Sequence, residues 1–85
     1  MNLRQQKRKL IRVFAHEVFH GRSQSGWTQQ VVADRVGVSL RWYQKIEKGE
    51  VLPSFFVGIC LMWFFGITPE VLVREVFGDV PVPTR

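Results

Sequence analysis

The sequence has little of what usually secures a very small protein. One cysteine, Cys60, stands among 85 residues, so no internal disulfide can form. A lone thiol inside an apolar run points to a reducing cytoplasm and a buried, hydrophobic role. Only two histidines are present, too few for a metal centre built on them alone. No long hydrophobic run occurs either. The longest, Phe55–Ile67, falls short of the ~20 residues that a membrane helix needs. The stretch behind the basic N-terminus, LIRVFAHEVFH, is broken by Arg12, His16 and Glu17, so no secretory signal is expected. Strand-type alternation, internal repeats and low-complexity tracts are missing as well. A soluble, single, all-α domain without cofactor or membrane partner remains, with a core limited by the chain's length.

Acid is scarce in the first half. Residues 1–48 carry ten Lys/Arg against three Asp/Glu, whereas residues 49–85 carry two against four. A basic front half joined to an apolar, mildly acidic back half suggests a polyanion-binding surface attached to an association surface. A merely solvated run of charge is the plainer alternative.

Periodicity and caps divide the chain into five helices. Leu3, Leu10, Phe14 and Val18 form an amphipathic stripe, widened by Ile11 and Ala15, which predicts a first helix over 3–20. The GRSQSG run (Gly21–Gly26) reads as a loop. Thr28 caps a helix over 29–36, with Gly37 in the left-handed position that ends it. Ser39 caps the next, about 40–48, ended by Gly49. Ser54 and Thr68 open the helices expected over 54–65 and 68–77, with Pro69 in the first turn where its missing N–H costs nothing. The domain is expected over 1–78, with an extended tail over 79–85.

The segment 28–48 has the layout of a helix-turn-helix. Ala33 is small where two steeply crossing helices must meet, and Gly37 supplies the turn. Tyr43 and Ile46 lie three apart and face inward. Arg41 points the opposite way, flanked by Gln44, Lys45 and Lys48, with Leu40 at the exposed N-terminal end. A helix of this kind fits the DNA major groove. There Arg bonds guanine bidentately, Gln bonds adenine, and lysines anchor phosphates. Trp42 falls between the two arcs and either covers the core edge, the favoured place, or leans on the sugar–phosphate backbone. Trp27, just before the Thr28 cap, reads as structural.

The run from Gly26 to Leu72 resembles the phage repressor and Cro-like (xenobiotic-response-element) helix-turn-helix family. The residues that carry the resemblance are Thr28-Gln29, Ala33, Gly37-Val38-Ser39, Ile46-Glu47-Lys48-Gly49 and Pro53-Ser54. It implies a five-helix repressor-like domain that binds near-palindromic double-stranded DNA as a homodimer. It also implies Gln29 at a phosphate, and Leu40, Arg41 and Lys45 at bases. Glu47 would be a structural acid paired with an arginine of the first helix, either Arg12 or Arg22. The first helix is longer and more basic than the family pattern. Leu40 is apolar where many members place a hydrogen-bonding residue.

The fourth helix is apolar nearly all round, which in so short a chain asks for a partner. A homodimer through the last two helices is expected, using Phe56, Trp63, Phe64, Val73, Val76 and Phe77. The alternative is a dense monomer core with a few aromatics left outside. Lys7 and Arg8 in the basic N-terminus can contact flanking phosphates, can be merely solvated, or can meet an anionic membrane surface. HEVFH (His16–His20) matches the zinc-protease pattern. It lacks a third ligand and a cleft, so no metal site and no catalysis are expected. The whole points to a repressor-type transcriptional regulator. Alternatives on the same fold are an antitoxin, a controller protein, or an interaction module that no longer binds DNA and docks through its fourth helix.

Overall fold

The computed structural model describes residues 2–82; residue 1 and residues 83–85 lie outside the described part, and with them the end of the tail expected over 79–85. Five helices follow one another: α1 (Arg4–Ser25), α2 (Gln29–Val36), α3 (Leu40–Glu47), α4 (Phe55–Phe65) and α5 (Pro69–Phe77), with no strand among the described residues. Each of the last four starts at a hydroxyl cap. Thr28, Ser39, Ser54 and Thr68 accept from the backbone N–H three residues on, at 3.0–3.3 Å. Such a bond satisfies one of the donors that a helix start leaves unpaired. Gly37 ends α2 at φ 78°, a conformation that costs glycine nothing.

The α1 helix is the spine. Phe14 and Val18 on it meet Val32, Ala33 and Val36 of α2, Tyr43 and Ile46 of α3, and Val57 and Leu61 of α4 in one buried cluster closed by Ile67. Ala33 is wholly buried, as the tight α2–α3 crossing requires. Trp27 bridges this cluster to α4. Its ring meets Phe64 and Phe65 edge-on at 5.9 and 6.1 Å, and the Arg35 guanidinium lies 4.9 Å from its centroid.

The expected end of the first helix is corrected. The helix does not stop near residue 20 with a loop over Gly21–Gly26, but continues to Ser25, and only Gly26, at φ 76°, terminates it. The reason is tertiary. A Cβ on Gly21 would lie 2.5 Å from the Phe65 Cβ, so this glycine permits a close approach of α1 and α4. It is not a breaker.

Candidate nucleic-acid interface

The α3 helix is fixed from behind. Tyr43 and Ile46 are fully buried. Beside them Glu47 takes a bidentate pair from Arg22, with Nε to Oε2 at 2.7 Å and Nη2 to Oε1 at 2.8 Å. The third guanidinium nitrogen, Nη1, donates to the Trp27 carbonyl at 3.1 Å, so one side chain ties α1, the α1–α2 link and α3 together. The partner of Glu47 is therefore Arg22, not Arg12.

Burial alone would raise the Glu47 carboxyl. The hydrogen bonds from Arg22 and Gln29 and the adjacent guanidinium charge outweigh it and hold the carboxyl below its ordinary value. The bond to Glu47 in turn raises Arg22, against the opposing effect of burial. Burial, then the neighbouring carboxylate, pushes the Tyr43 hydroxyl up, so it stays neutral. Its oxygen has no partner at hydrogen-bonding geometry among the described residues.

The polar chain continues outward. Gln29 Nε2 donates to Glu47 Oε1 at 3.1 Å, and Gln44 Nε2 donates to Gln29 Oε1 at 3.2 Å. Gln29 is thus half-buried and engaged at both ends of its amide, with one amide hydrogen left over. In the free protein it links the buried acid to Gln44 and restricts where the Gln44 amide points.

On the outer side of α3, Leu40, Arg41, Gln44, Lys45 and Lys48 line one open depression. Arg41 and Lys48 are exposed; the other three are half-buried. Glu50 lines the same depression, an acid that the sequence reading did not place here. Trp42 is 39% exposed, with the Lys45 ammonium 6.0 Å from its ring centroid. Lys7 and Arg8 are exposed far up α1, and Lys7 lies about 100° around the helix from Arg8.

The residues named for association separate. Phe56, Trp63 and Val73 are exposed by 71%, 80% and 57%. Phe64 and Phe77 are half-buried in their own protomer. Val76 is only 3% exposed and has no surface to offer a second copy. It is withdrawn from the interface, because α5 turns it into the cleft with α1. Phe55, 86% exposed, and Ile59, 45% exposed, were overlooked and belong to the same outer stripe of α4. Their signal was present, since residues 55, 56, 59 and 63 fall on one helical face.

His16 and His20 are both exposed. Among the described residues no group of three His, Cys, Asp or Glu side chains is placed to hold a metal ion. No single helix is long and apolar enough to cross a membrane.

Residues 3–74 match the profile of a helix-turn-helix domain family. The chain belongs to this family. Comparison with curated proteins and with solved structures returned no match. The helix-turn-helix proper is α2 and α3, and family membership implies binding to double-stranded DNA through it, in the manner of a transcription regulator. The helix-turn-helix match covers α1 and α4 as well, the two helices that carry Arg22 and the exposed stripe.

Proposed function

We propose that this helix-turn-helix protein is a dimeric, sequence-specific repressor that reads a near-palindromic operator in the cytoplasm. The observation that supports this most is the division of α3. One face is locked by the Arg22–Glu47–Gln29 network, and the other presents Arg41, Gln44, Lys45 and Lys48 together. With the α3 backbone and the Gln44 amide held in place, less entropy is lost on entering the major groove. Arg41, exposed and near the α3 N-terminus, would take a guanine edge. Gln44 and Lys45 would sit beside it, and Leu40 against a thymine methyl. Lys48, Lys7 and Arg8, with the remaining hydrogen of Gln29, would hold phosphates.

The exposed aromatic stripe on α4 supports the dimer. Phe55, Phe56, Ile59 and Trp63 form an apolar surface that a monomer would leave in water, and Val73 of α5 is exposed as well. An operator read by such a dimer would hold half-sites about one DNA turn apart. The same stripe also favours a second reading, a protein-interaction module. An antitoxin or controller protein would use identical geometry. Salt titration on duplex DNA separates the DNA-binding readings from the interaction module. A steep loss of affinity with rising salt is the expected result, and absence of binding at low salt would leave the interaction module.

A further inference from the structure

We propose that Arg4, Arg8 and Arg12 form a second phosphate-binding stripe, which holds the DNA beyond the reach of α3. The proposal rests on the DNA-binding reading above and adds to it a surface outside the helix-turn-helix. The three arginines recur at i, i+4 and i+8, so they share one face of α1, about 6 Å apart along its axis. All three are exposed.

Within α1 this stripe opposes stability. Like charges four apart repel, and cations at a helix N-terminus oppose the macrodipole. The first turn carries no acid, and the first acid of the chain is Glu17. Glu75 of α5 and Asp79 just beyond it share a depression with Arg8 and Arg12, yet the one ion pair among the described residues is Arg22–Glu47. The charge on the stripe therefore has no ion-pair partner among the described residues, and a polyanion is the partner that turns its cost into attraction.

Position selects the polyanion. The turn after α3 rests on α1, where a Cβ on Gly49 would lie 3.8 Å from the Arg12 Cα. The Arg12 end of the stripe thus lies against the residue that follows Lys48, the last cation of the recognition face. An anionic membrane fits less well. The apolar side of α4 borders α1 at Leu10 and Phe14, about 120–160° around the helix from Arg8. One flat surface does not meet both.

The test uses the full chain and a duplex carrying its selected site, comparing wild type with the Arg4→Gln/Arg12→Gln double variant. The slope of log affinity against log salt should fall by about 2 in the variant. Ethylation interference should disappear at phosphates outside those that respond to Lys48→Gln. An unchanged slope and interference pattern, with wild-type DNA binding intact, overturns the stripe and leaves the operator reading standing. Absence of DNA binding by wild type overturns both. Binding to phosphatidylserine vesicles that the double variant loses, with its DNA slope unchanged, assigns the stripe to a membrane and overturns the proposal. Circular dichroism of the variant, with both changes at exposed positions and to a good helix former, checks that α1 is retained.

Discussion

At the scale of single residues, Glu47 is the pivot. Its side chain is 5% exposed and that of Arg22 17%, so removing either leaves a charge with poor access to water. Glu47→Gln should cost about 3 kcal/mol of stability, measured by urea unfolding. The pH dependence has a definite sign. The folded carboxyl lies below its ordinary 4.5, so the stabilisation is complete above pH 4.5 and is lost as pH falls through the lower folded value. The variant should show a flatter acid limb than wild type; parallel limbs would mean that Glu47 does not carry the effect. Arg41 makes a different prediction. Arg41→Ala should relax preference at one base step and cost about 1–3 kcal/mol on the specific site. Equal loss on specific and random DNA would make it a phosphate contact. Spacing alone placed Tyr43, Ile46 and Arg41 on opposite faces, because helical phase is a local property. It left Arg12 and Arg22 as equal candidates for Glu47, since that choice depends on how α1 lies across α3.

At the scale of elements, the hydroxyl caps and terminal glycines are local chemistry, and they placed the starts of α2 to α5 correctly. The end of α1 was not legible for a physical reason. Gly21 and Ser25 look like breakers in isolation, but the Phe65 ring against Gly21 and the Arg22 pair with Glu47 hold that last turn in helix. Gly21→Ala gives a direct check. Helix propensity alone would make it stabilising by about 1 kcal/mol. The clash with the Phe65 Cβ should instead destabilise the protein by about 1–3 kcal/mol. Thermal unfolding of the single variant, and of Gly21→Ala combined with Phe65→Gly, which removes the Phe65 Cβ, measures the balance. The double variant should recover part of what the contact cost relative to Phe65→Gly alone.

At the scale of the whole molecule, two surfaces ask for partners. One is the cationic side of α3, continued along α1; the other is the apolar stripe of α4. The uniform hydrophobicity of α4 announced the second surface in the sequence, but not its composition. Which apolar residues a protomer keeps for itself depends on packing, and packing took Val76 while leaving Phe55 and Ile59 outside. Trp63→Glu should convert a dimer into a monomer by light scattering at micromolar concentration, with helix content retained. A wild-type monomer under the same conditions would contradict the association surface.

The central claim is that α3 reads sequence in duplex DNA. Selection of bound sites from a random duplex pool tests it most directly. The account predicts enrichment of a near-palindrome with half-sites centred about one helical turn apart. A bound pool as random as the one supplied would contradict it.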